Sequence, residues 1–172
     1  MSLRIVSTEK NRLMNRRPWI TGLLLISTWG LLGVSSAQAA DDEAWIEYRQ
    51  TVMSAIGADM AGIGDILKNG LPLTKNIEFH ATAIATNARL VASAFSQRAE
   101  NGQTDALPDI WQKTDAFAEA TDEMREAAEQ LAAAVAEGND AQIGPRVKTL
   151  GKSCGSCHKA FRKPKKDSYK NK

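Results

Sequence analysis

Residues 140–161 read DAQIGPRVKTLGKSCGSCHKAF, and two patterns overlap in them. Ile143, Val147, Leu150, Cys154, Cys157 and Phe161 recur at three- and four-residue steps, the period of one face of an α-helix. Inside that stripe, Cys154-Gly155-Ser156-Cys157-His158 has the spacing at which a c-type haem is attached. On a helix, thiols at i and i+3 share a face and each can form a thioether to a haem vinyl group. An imidazole at i+4 stands on that same face, where a ring nitrogen can meet the iron. A core stripe that runs into a cofactor signature predicts a helix packed against others, with the haem in the core.

Two other uses of such cysteines fit the chain less well. A zinc site wants about four N/S ligands, and His80 is the only histidine besides His158. A thioredoxin-like redox pair needs a βαβ context, and the rest of the chain is patterned for helices. One covalent haem c, held by Cys154 and Cys157 with His158 as proximal ligand, is therefore the expectation.

Outward from this stretch, three more amphipathic segments appear and no convincing strand pair. Gly138-Asn139 is a stop signal and Asp140 opens the last helix, with Pro145 in its first turn, where a missing N–H costs little. The third helix is expected from Asp109 through Ile110, Phe117, Met124, Leu131 and Val135. The second is expected from a capping Thr74 through Ile77, Ala81, Ile84, Ala88, Val91 and Phe95, with Asn101-Gly102 at its end. The first begins near Asp41-Asp42, carries Trp45, Arg49, Val52, Ile56, Met60, Ile63 and Leu67, and stops at Asn69-Gly70 before Pro72. A polar stretch, Glu100 to Pro108, is the longest break. Short connections at both ends and a longer one in the middle predict an all-α, antiparallel four-helix bundle over residues 41–163.

The first forty residues read as an export signal. Arg4, Lys10, Arg12, Arg16 and Arg17 precede a mostly apolar run from Ile20 to Val34, and Ala37-Gln38-Ala39 offers a cleavage site near residues 39/40. An uncleaved membrane anchor is the competing reading, because the run approaches the length of a spanning helix. Cleavage would leave no transmembrane segment in the mature chain and a periplasmic location. The leader carries five of the 22 basic and one of the 20 acidic residues, so 17 basic and 19 acidic remain, a net charge of −2. A globally basic nucleic-acid binder is not indicated. No Ser/His/Asp set, phosphate loop or paired acidic site points to an enzyme.

A four-helix chain with C-x-x-C-H close to its end, followed by Phe161-Arg162, with Tyr48-Arg49-Gln50 on the first helix and Pro108-Asp109-Ile110-Trp111 opening the third, resembles the class II cytochromes c. The resemblance covers about residues 42–163. It implies that the second axial side of the iron is decided four residues after Arg49, at Met53. In the high-spin cytochromes c′ the residue there is commonly apolar, leaving the iron five-coordinate and open to nitric oxide or carbon monoxide. In the low-spin electron carriers of the same family a methionine there ligates the iron. Met53 in its local context looks more like the second group, and a thioether suits an electron shuttle by raising the potential. The expectation is thus an electron carrier with Met53 as distal ligand, the alternative a five-coordinate gas binder in which Met53 is core packing.

Arg49, one turn from Met53, and Arg162, one turn beyond His158, are candidates to pair with a haem propionate, or else solvated surface arginines. His80 reads as structural, and Met60 and Met124 as packing. Residues 164–172 continue a basic end that includes Lys165, Lys166, Lys170 and Lys172. It is either a frayed terminus or a steering patch for redox partner proteins that are acidic at their docking face. Monomer and homodimer both remain open, dimerisation through the first two helices being common in similar proteins.

Overall fold

The structure, a computed structural model, describes residues 34–171. Helix α1 spans Val34–Asn69, α2 Thr74–Ala94, α3 Asp109–Gln112, α4 Thr114–Ala136 and α5 Asp140–Phe161, followed by 3₁₀ turns at Lys165–Asp167 and Tyr169–Asn171. The four long helices form the bundle. The basic and apolar parts of the leader lie outside the described residues, except Val34. Because no helix breaker lies between Val34 and Asp41, α1 continues back past the acidic pair expected to open it.

Apolar positions at helical period close the core. Ile63, Ile77, Ile84, Val91, Leu131 and Leu150 are all at or below 2% exposure. Ala81, Ala88 and Ala128 between them are equally buried, and their small side chains allow the helices to approach. One approach requires glycine: a Cβ at Gly62 of α1 would lie 2.7 Å from Nε2 of His80 on α2. His80 in turn has Nδ1 2.9 Å from Asp59 Oδ1, which is the structural role expected of it.

Two turns are built as read. Gly70 and Gly138 adopt positive φ, 58° and 69°, and the residue after each donates five residues back. These bonds are Leu71 N–H to the Ile66 carbonyl at 3.0 Å and Asn139 N–H to the Ala134 carbonyl at 2.9 Å, the Schellman pattern that terminates a helix on a left-handed residue.

Other boundaries differ. Thr74 is the first residue of α2 rather than its cap, and Leu73 at the cap position makes no side-chain bond. Helix α2 ends at Ala94, well short of Asn101. Ser93 and Ser96 hydroxyls donate to the carbonyls of Leu90 and Ser93, a local competition with the helix ladder, and Arg49 takes the Ala99 carbonyl. The expected third helix is broken at Lys113, whose φ of −124° and ψ of 53° are not helical. Its first turn, α3, is held separately by the Trp111 indole N–H donating to the Phe95 carbonyl at 2.8 Å. Pro145 lies in the second turn of α5, so the helix forgoes one backbone bond that a first-turn proline would not have cost.

The packing order positions the site. Helix α1 packs on α2, α2 on α4 and α4 on α5, but α1 and α5 have no close backbone approach. Three seams of the bundle are closed by side chains. The fourth opens into a cavity.

Candidate haem-binding site

Met53, Cys154, Cys157, His158 and Arg162 all border one cavity of about 560 Å³, inside the size range of small-molecule and cofactor sites. Helix α5 contributes the two thiols from consecutive stripe positions and the imidazole from the residue after the second. Met53 enters from α1, with Ile56 and Gly57 beside it. Each of the four donors is half-buried, as it must be to touch an enclosed group while being carried by a surface helix. Met60 and Met124 border the cavity as well, Met124 being only 8% exposed.

The remaining wall is aromatic. Phe95, at the end of α2, meets Phe117 of α4 edge-on at 5.2 Å and 60°, and Phe117 meets Phe161 of α5 at 5.2 Å and 79°. Edge-to-face contacts of this kind contribute about 0.5–1.5 kcal/mol each beyond their burial. The three rings line the same cavity as the imidazole.

Electrostatics follow from partial burial. Burial, reinforced by the neighbouring Cys154, pushes the Cys157 thiol up to about 11. Burial also raises Cys154, against opposing hydrogen bonds from its backbone and Ser153. His158 is lowered, first by burial and then by the Arg162 cation. A lowered imidazole is neutral near pH 7, the form that can donate a lone pair to a metal.

Arg49 does not border the cavity and is not a surface arginine. It is 3% exposed, with Nη2 donating to the Ala99 carbonyl and Nε to the Trp45 carbonyl. Its guanidinium lies 5.3 Å from the ring centroids of both Phe95 and Trp111. One nitrogen, Nη1, has no hydrogen-bond partner. Burial lowers its pKa, offset in part by Asp42 and Glu100. It braces the Phe95 wall from behind, which sequence spacing from Met53 does not reveal.

Sequence reading also missed two contributors to the rim, Ala106 of the crossing loop and Lys170 of the tail. No periodic signal marks either, because both reach the cavity through loop contacts. Among the described residues no group of three or more His, Cys, Asp or Glu side chains is gathered that would hold a metal ion. The donor set that is gathered, two thiols and one imidazole lining an apolar cavity, fits a covalent haem.

Comparison with known proteins agrees with this geometry. The family model described as cytochrome C′ matches residues 44–162. The cytochrome c′ of Rhodospirillum rubrum is 36% identical over 141 residues, covering 81% of this chain and 96% of that protein. Among solved structures, cytochrome c prime from Shewanella frigidimarina aligns with a TM-score of 0.66 and 27% identity, over 72% of this chain and 97% of that one. A nitric oxide complex of a variant of cytochrome c prime from Alcaligenes xylosoxidans aligns at 0.65 and 26%, with the same coverage.

Proposed function

Because the chain belongs to the cytochrome c′ family and carries that family's covalent c-type haem, attached through Cys154 and Cys157, we propose that it is a five-coordinate haem protein that binds or buffers nitric oxide or carbon monoxide. The observation that carries this reading is the similarity to cytochromes c′ along the bundle, from the first helix to the haem signature. The nitric oxide complex among its structural neighbours supports the ligand class.

The residues divide the work in this reading. Cys154 and Cys157 would hold the cofactor on α5, and His158, half-buried and neutral, would supply a ring nitrogen to the iron. When bound, the haem supplies the iron at which a diatomic ligand coordinates. The α1 residues that border the cavity, among them Met53, Ser54, Ile56 and Gly57, carry no charge, so an uncharged diatomic would meet no anion-attracting group on that wall. Phe95, Phe117 and Phe161 add aromatic surface to the same cavity. The protein is exported to the periplasm and does not turn over an organic substrate.

One observation favours the second reading, an electron carrier. Met53 borders the cavity from α1, where its thioether is available as a sixth ligand and partner proteins would exchange electrons at the haem edge. The visible spectrum of the reduced protein separates the two. A high-spin spectrum that shifts fully with carbon monoxide supports the gas binder. A low-spin spectrum that ignores carbon monoxide overturns it in favour of Met53 ligation.

A further inference from the structure

The crossing loop and the chain beyond α5 are laced together at the edge of the cavity. Leu107 N–H donates to the Phe161 carbonyl at 3.0 Å and Lys163 N–H to the Asp105 carbonyl at 2.8 Å, forming an antiparallel bridge between Ala106 and Arg162. The Lys163 ammonium donates to the Thr104 carbonyl at 2.9 Å. Beyond Pro164, the Asp105 carboxylate holds the tail with both oxygens. One accepts from the Ser168 hydroxyl at 2.7 Å, the other from the Tyr169 N–H at 3.0 Å. Ser168 is 8% exposed, so these bonds are partly shielded from competing water. A terminal stretch this rich in lysine would fray on composition alone. Asp105 gives it a defined course.

The result of that course is Lys170. It lies one residue past the second of these bonds, is exposed with its ammonium 5.8 Å from the Tyr169 ring centroid, and borders the same cavity as Cys154, Cys157, His158 and Arg162. The cavity has no acidic side chain among its lining residues. Arg162 and Lys170 therefore present two cations to a space that holds a haem, a group whose only anionic arms are its two carboxylates. A compact ammonium is well suited to such a partner as a point charge.

We propose that the tail is a built part of the haem site: Asp105 pins it so that Lys170 stands as a fixed counter-cation to a haem carboxylate and biases the iron toward its reduced state. The bias follows from Coulomb's law, since a nearby positive charge disfavours the extra positive charge of ferric iron. The inference needs the haem but not a particular sixth ligand, so it stands or falls independently of the gas-binding reading. Steering of a partner by the basic end is a separate matter, because a fixed Lys170 acts in the isolated protein.

The test is a redox titration of the full-chain haem protein followed by visible absorbance. For Lys170→Gln the ferric-to-ferrous ratio at a fixed applied potential should rise by about two- to fivefold, while Lys170→Arg keeps the parent value. Lys68→Gln, an exposed lysine that does not border the cavity, should leave the ratio unchanged. Ser168→Ala removes a tail bond without changing charge. It should speed tryptic cleavage at Lys165 and Lys166 and move the ratio in the same direction as Lys170→Gln. A Lys170→Gln titration that overlays the parent overturns the proposal, as does an equal shift in Lys68→Gln. So does a Ser168→Ala tail that is freed to trypsin while the ratio stays put.

Discussion

His80 on α2 bonds to Asp59 on α1 at 2.9 Å by lying directly over Gly62, where any Cβ would come within 2.7 Å of its ring. The pair and the glycine form one device. Gly62→Ala gains about 1 kcal/mol of helix propensity but must push His80 away, and overpacking of this kind costs about 1–3 kcal/mol. The net should be destabilising in the parent and reverse in a His80→Ala background, where the ring is gone. Urea unfolding of the four proteins in the cycle measures it. Additive effects would show that His80 does not set the α1–α2 distance.

Arg49→Leu removes the donors to the Ala99 and Trp45 carbonyls and the cation between Phe95 and Trp111. An unsatisfied buried carbonyl costs about 1–3 kcal/mol and a lost cation–π contact about 0.5–2 kcal/mol. The variant should lose about 2–4 kcal/mol in thermal or urea unfolding. Arg49→Lys should recover only part of this, since one ammonium cannot serve two carbonyls and two ring faces with the reach of a guanidinium. Full recovery by lysine would mean that charge alone matters.

Met53→Ala separates the two coordination readings by spectrum. In the gas-binding reading the reduced protein is high-spin before and after the substitution, and carbon monoxide binds both forms. In the electron-carrier reading the substitution converts a low-spin protein to a high-spin one that accepts carbon monoxide. A low-spin parent therefore overturns the function proposed above. A stability loss of about 2–4 kcal/mol accompanies either outcome, because a half-buried methionine is truncated on the cavity wall.

Gly138→Ala should cost about 1 kcal/mol, since φ of 69° places a Cβ against the following carbonyl. Thr74→Ala should change unfolding by only a few tenths of a kcal/mol. A capping threonine would cost about 1 kcal/mol on truncation, but Thr74 sits inside the helix and Leu73 holds the cap position. Comparing the two midpoints tests the helix boundaries directly.

What residues 41–163 disclosed in advance was periodic. Stripes such as Ile77–Ala81–Ile84–Ala88–Val91 mark a helix face because burial repeats with the helical turn, and they placed each of the four long helices. Gly70 and Gly138 were legible because a left-handed stop leaves a residue-type trace. The ends of α2 and the break at Lys113 were not, because they arise where Arg49 draws in the Ala99 carbonyl and Trp111 bonds the Phe95 carbonyl, contacts between segments distant in sequence. The burial of Arg49 was hidden for the same reason.

The site divides along the same line. Cys154, Cys157 and His158 lie within five consecutive residues of one helix, so local spacing alone names the cofactor and a candidate ligand for its iron. Met53 entered through resemblance, and its presence on the cavity wall depends on α1 and α5 flanking a seam they do not close. Lys170 was legible only as one lysine of a basic end, and its place at the cavity had no sequence signal, since it follows from the Asp105 carboxylate holding Ser168 and Tyr169 across more than sixty residues. Sequence alone determined the covalent chemistry, because attachment is written in adjacent residues. Tertiary structure decided what surrounds the haem, because a cavity exists only where side chains from separate helices fail to meet.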